Sequence, residues 1–143
     1  MASAVAGMAI SAQVSGLLPI TQHAMMFHNG IAFPEYESFA IRADERERIA
    51  ADLGEKDIMM LRNHGMPVGG PSVGEGFHTA YHLERACRVQ LLATVGHVPL
   101  QMPQPVAAEA TARRLRSMTQ EHYAIFFESC LAMLASDAGD WRA

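Results

Sequence analysis

Along residues 3–14 the apolar positions Val5, Met8, Ala9 and Ala12 recur at helical spacing, and Gly16 follows as a stop. The stretch carries no charge, so it predicts a mostly buried helix. Pro19 opens a second short helix over residues 20–28, and Asn29-Gly30 closes it. Ile31, Ala32 and Phe33 read as a strand, with an edge or bend imposed by Pro34. Asp44 to Leu53 reads as a helix, with Asp44 as N-cap, Glu47 three residues on, and Gly54 as the stop. Ile49 and Leu53 are its inward pair, and its charges form an outer face. Asp57 to Leu61 is an almost unbroken apolar strand, the pattern of a strand central in its sheet. A turn and a short return strand span residues 65–70. Ser72 and Glu75 then form an S-x-x-E capping box that launches the longest helix, running to about Thr94 and ended by Gly96. Val73, Phe77, Ala80, Tyr81, Cys87 and Leu91 lie on or near one of its faces. Residues 97–107 hold three prolines and read as a linker. Residues 107–134 are helical again. Met118, Phe126, Phe127, Leu131, Met133 and Leu134 give the second half of that stretch an apolar side, of the kind that packs back or meets a partner.

Helices alternating with strands predict an α/β layered sheet with helices outside. Two or three strands make a thin sheet, and buried strands need neighbours, so the pattern is that of part of a larger sheet. The organisation expected is a body over residues 1–96, followed by a Pro-containing linker and helical extension over residues 97–143.

Composition narrows the function. Half of the 143 residues are hydrophobic, 18% are charged, and the net charge is −4. That is an ordinary globular balance, with no basic field for nucleic acid and no polybasic run for anionic lipid. The first twenty residues resemble a signal peptide in apolarity alone: they lack a charged n-region, and Ser11, Gln13 and Ser15 interrupt them. No apolar run approaches a membrane span. Cys87 and Cys130 show no CxxC spacing and read as reduced, small hydrophobes. The expectation is a cytoplasmic protein that engages neither membrane nor nucleic acid.

The chemistry-bearing candidates are mostly histidines. His64 ends an apolar strand in MMLRNHGMPVGG, where Gly65 permits close approach and Asn63 can orient neighbours. A neutral imidazole at a strand end is a common zinc ligand, and equally a residue that simply hydrogen-bonds in a turn. His78 and His82 stand at i, i+4 on one helix face, a spacing that can hold a metal or mark a polar face or subunit contact. The HExxH pattern is absent. His23 and His28 flank Met25, Met26 and Phe27 and read as partly buried. Tyr36 sits between two acids after Pro34 and reads as a surface aromatic packing on a loop. Gly69-Gly70 before a helix start is a weak anion-binding signal.

LRNHG, the apolar hairpin behind it, and the helix VGEGFHTAYHLERACRVQ together resemble the class II aldolase/adducin family. The segments GMAISAQVSGLLPITQHAMMFH and RADERERIAADLG are similar to the same family, in its bacterial, adducin-head-like branch. The resemblance covers residues 6–95. It implies an α/β/α sandwich around a central, mostly antiparallel sheet, of which this chain would carry the C-terminal portion. The family's enzymes cleave or rearrange sugar phosphates and related carbonyl compounds, using zinc held by three histidines. His64 matches the third of those histidines, making it the implied metal ligand. Tyr36 matches, loosely, a tyrosine that donates a proton across a subunit interface, making it the implied catalytic residue. The family's His-x-His pair would fall just before the counterpart of residue 3, where this sequence has no such pair. Pro67 stands where an apolar strand residue is expected. The resemblance thus leaves three readings: a zinc-dependent aldolase missing ligands, a non-catalytic self-associating module like the adducin head, or a remnant that folds poorly alone. Family members are commonly tetramers, so a homo-oligomer is implied.

Overall fold

A computed structural model describes residues 4–34 and 43–137. The elements run α1 (Val5–Ser11), α2 (Gln22–Met25), β1 (Ile31–Ala32), α3 (Ala43–Leu53), β2 (Ile58–Met59) and α4 (Val73–Thr94), followed after a 3-10 turn by α5 (Pro105–Arg116) and α6 (Gln120–Asp137). Helix α4 is the longest, and α1, α2 and α6 all pack on it, while α5 packs on α2. The core lies between α4 and the strands. Leu83, Ala86 and Cys87 of α4 meet Ile10 of α1, Phe27 after α2, Ile31 of β1 and Ile58 of β2. Tyr36 and the side chain of Asp44 lie outside the described residues.

Local signals place the ends of these elements. Thr21 caps α2 by accepting the Ala24 N–H, and Ser72 caps α4 by accepting the Glu75 N–H. Asn29, Gly54 and Gly96 take left-handed backbone conformations where α2, α3 and α4 give way. Helix α1 stops at Ser11, earlier than its periodicity suggests. The segment behind it folds into turns ending at Gly16, also left-handed. Only one face of α1 is buried: Ala6, Gly7, Ile10 and Ser11 are inside, while Val5 and Met8 are exposed.

The sheet is mixed. β1 and β2 pair in parallel, Ile31 opposite Ile58 and Ala32 opposite Met59. They are joined through α3, as a parallel pair requires a crossover. Of the mostly antiparallel sheet expected, the described residues next to β2 hold isolated antiparallel bridges, where the chain returns and Val68 meets Ile58. Pro67 fits this ladder because it contributes only its carbonyl, which accepts the Met59 N–H at 3.0 Å.

Two sequence expectations are corrected. Val73, Phe77 and Tyr81 of α4 are exposed, and the buried stripe is His78, Leu83, Ala86, Cys87 and Gln90. Polar residues occupy inward positions because neighbouring segments satisfy or stack on them. Residues 107–134 are also two helices, not one. The Ser117 hydroxyl donates back to the Arg114 carbonyl, and Thr119 accepts the His122 N–H. These hydroxyls end α5 and start α6. Arg116 then ties α5 to the end of α2, donating to the carbonyls of Met26 and His28. Gly74 lets α6 approach closely: a Cβ there would meet the Tyr123 carbonyl oxygen at 3.1 Å.

Gln90 is fully buried and fully used. Its Oε1 accepts the Leu18 N–H at 2.7 Å, and its Nε2 donates to the Gly16 carbonyl at 2.8 Å and to Gln13 Oε1 at 3.0 Å. Gln90→Leu keeps the volume and strands these groups. It is expected to cost about 2–4 kcal/mol in urea unfolding, with an unchanged m-value.

Candidate functional site

The His64 hairpin is built from short-range pairing. The Leu61 N–H donates to the Gly65 carbonyl at 2.8 Å, and the His64 N–H donates back to Leu61 at 3.1 Å. Asn63 supplies the left-handed residue the turn needs, at φ 56°. His64 stands exposed at the tip. The hairpin is clamped against α1. The Asn63 N–H donates to the Ser11 carbonyl at 3.2 Å, and the Arg62 guanidinium donates to the carbonyls of Gln13 and Val14. Arg62 also lies over the Phe33 ring. Gly7 of α1 faces Met66, so closely that a Cβ would overlap the thioether.

Helix α1 is in turn fixed by Glu84 of α4. The two carboxylate oxygens accept the N–H groups of Ala6 and Gly7 at 3.2 and 2.9 Å, satisfying donors that a helix start leaves open. Arg88 pairs with the same carboxylate at 3.2 Å. The position of His64 therefore descends from α4 through Glu84, α1 and the hairpin. Glu84 had no signal of its own in the sequence, since its partners lie 77 and 78 residues away.

A second group of imidazoles sits elsewhere on α4. His82 stacks on His23 of α2 with ring centroids 5.1 Å apart, and lies 4.3 Å from His78. His78 meets His122 of α6 at 5.7 Å and Tyr123 at 5.1 Å. The i, i+4 spacing of His78 and His82 was legible, whereas their union with His23 and His122 depends on the tertiary fold. His78 is only 3% exposed, and the Nδ1 atoms of both His78 and His82 are buried with no hydrogen-bond partner. Burial, then the nearby His122, holds His78 below the usual histidine range, and Glu75 opposes this. Burial and the neighbouring His78, His23, Arg85 and His122 push His82 down to about 4. His23 is exposed rather than partly buried, and His28 is half-buried. A cavity of about 300 Å³ opens beside this cluster, with His78, Glu75, Tyr123 and Arg116 in its wall, and His64 is not part of it. Gly69 contributes to that wall as well, but nothing there singles out an anion.

Zinc at a catalytic site needs three protein donors. Among the described residues, no group of three or more His, Cys, Asp or Glu side chains is placed to hold a metal ion. The described residues therefore do not fit a catalytic zinc by themselves. Cys87 is no substitute: it is buried beside Glu84, and burial first, then that charge, pushes its thiol up to about 12.

Comparison with known proteins follows the same hairpin and helix. Residues 2–91 match the class II aldolase and adducin N-terminal domain. The chain belongs to the class II aldolase/adducin family. A Caulobacter vibrioides protein named "Putative aldolase class 2 protein" is 46% identical over 87 residues, covering 61% of this chain and 34% of its own length. Mouse alpha-adducin is 37% identical over 94 residues, covering 64% of this chain and 13% of its own. An aldolase II superfamily protein from Pseudomonas syringae has a crystal structure that superimposes with a TM-score of 0.89 at 35% identity. That match takes in 96% of this chain and 56% of the other. The fold is thus an aldolase II fold, and the chain spans about a third to just over half of these bacterial relatives. Among the described residues, no helix is long and apolar enough to cross a membrane.

Asn63 gives a direct check on the hairpin. Asn63→Ala is expected to lose about 1 kcal/mol in thermal or urea unfolding, because alanine resists the left-handed turn. Asn63→Gly should stay within about 0.5 kcal/mol of the parent.

Proposed function

We propose that the chain supplies the His64 hairpin of a class II aldolase-type site acting on a sugar phosphate or related small carbonyl compound. The reaction class is carbon–carbon bond cleavage, a lyase reaction. One observation carries the reading: the LRNHG turn, with the exposed residue His64 at its tip, is held at the end of its strand by α1. A histidine serving only the turn would need no such clamp. His64 is assigned as a metal donor, and at least one further donor is required from outside the described residues, since those inside supply no trio. Tyr36 is assigned as the proton donor across a subunit interface. Two free thiols agree with a cytoplasmic setting.

A specific observation favours a second reading, a self-associating module like the adducin head. Met133 is 71% exposed, and Ile125, Leu131 and Leu134 of the same helix are exposed as well. Apolar surface of this kind tends to be covered by another protein. Alpha-adducin is itself among the relatives.

Two measurements separate these readings. Elemental analysis of purified, dialysed protein should find about one zinc per chain, lost in His64→Ala, if His64 is a donor. No zinc in either protein would sink the aldolase reading. Light scattering at micromolar concentration should find an oligomer if the association reading holds, and a monomer would count against it.

A further inference from the structure

Helix α6 is held to α4 by rings. His122, Tyr123, Phe126 and Phe127 of α6 face Phe77, His78, Tyr81 and His82 of α4. The described polar ties between them converge on one residue: Gln120 accepts from the Ser72 hydroxyl and donates to the Glu75 carboxylate. His23 of α2 closes the cluster by stacking on His82. Neutral imidazoles pack here as aromatic surface. Charged ones would place like charges at ring distances of 4.3 to 5.7 Å, two of them with a buried nitrogen lacking any acceptor.

We propose that this four-imidazole cluster makes the docking of α6 on α4 proton-dependent, so that acidification releases α6 and uncovers the aromatic face of α4.

The surrounding charges favour release. From α4 the cluster is faced by Glu75 and Arg85, and by the Tyr81 phenol; from α2 by His23; from α6 by His122 and the Tyr123 phenol; and across the cavity that His78 lines stand Arg116 of α5 and Glu55, Lys56 and Asp57 before β2. Glu75 favours a charged imidazole at His78, against burial and His122, which act more strongly. Arg85 and the other histidines oppose charge on His82. A histidine whose native value is depressed contributes stability above its unfolded value near 6.5, and loses it as the pH falls towards its native value, about 4 for His82. The window is therefore between about pH 6.5 and 4, where the released helix binds protons that the docked one excludes.

Hydrogen exchange of the intact chain at pH 7.5, 6.0, 5.0 and 4.5, corrected for intrinsic exchange rates, tests this. Protection of α6 amides should fall at least about tenfold between pH 7.5 and 5.0, reversibly, while α1 and central α4 amides stay protected. His78→Phe with His82→Phe retains rings and removes protons, and its α6 protection should change less than about threefold over the same range. His122→Phe alone, at the exposed edge, should shift the transition to lower pH and provides the comparison if the double variant does not fold. Unchanged α6 protection in the parent down to pH 4.5 would overturn the proposal. So would simultaneous loss of α1, α4 and α6 protection, or an unaltered transition in the ring-for-ring variants.

Discussion

The packing of this fold is organised by α4, whose buried face is not wholly apolar. Leu83, Ala86 and Cys87 give it the hydrophobic contacts of a core helix. Glu84 and Gln90 make it an organiser, because each reaches a separate backbone segment. Glu84 takes the start of α1, and Gln90 takes the irregular stretch behind it. Without such partners, the turns between residues 12 and 18 would bury backbone groups with nothing to bond. The hydrophobic contacts supply cohesion, and these two side chains supply position.

That division explains what could be read from the sequence. The Ser72 cap, the left-handed stops at Asn29, Gly54 and Gly96, and the apolar run before His64 are local signals, and the elements follow them. The family was legible for the same reason, since LRNHG and the long helix behind it are contiguous. The burial of His78 and Gln90 was not legible. A hydrophobic pattern sends them outward, and only the arrival of α2, α6 and the segment at residues 13–18 makes their burial favourable. The division between α5 and α6 was hidden likewise, because Ser117 and Thr119 are compatible with a helix until α5 is anchored on α2 by Arg116. The parallel pairing of β1 with β2 is a property of the crossover and not of either strand.

The two histidine settings show how one residue type acquires different chemistry. His64 sits at an exposed tip with its backbone fixed by hydrogen bonds. His78 sits in an aromatic wall, where burial and its neighbours favour the neutral ring. Spacing marked His78 and His82 as a pair, but their surroundings determine that they behave as packing groups. The aldolase II fold thus carries, on one helix, both the framework that aims the hairpin and a polar cluster unrelated to it.

The reach of Glu84 and Gln90 also orders events in time. The contacts that position α1 and its following turns span 72 to 78 residues of chain. During synthesis, residues 6–18 leave the ribosome before Gln90 exists, and at about 5–20 residues per second they wait several seconds for it. In that interval the uncharged segment over residues 6–18 lacks the Glu84 and Gln90 contacts that position it. That segment is then among the later parts of the fold to become native.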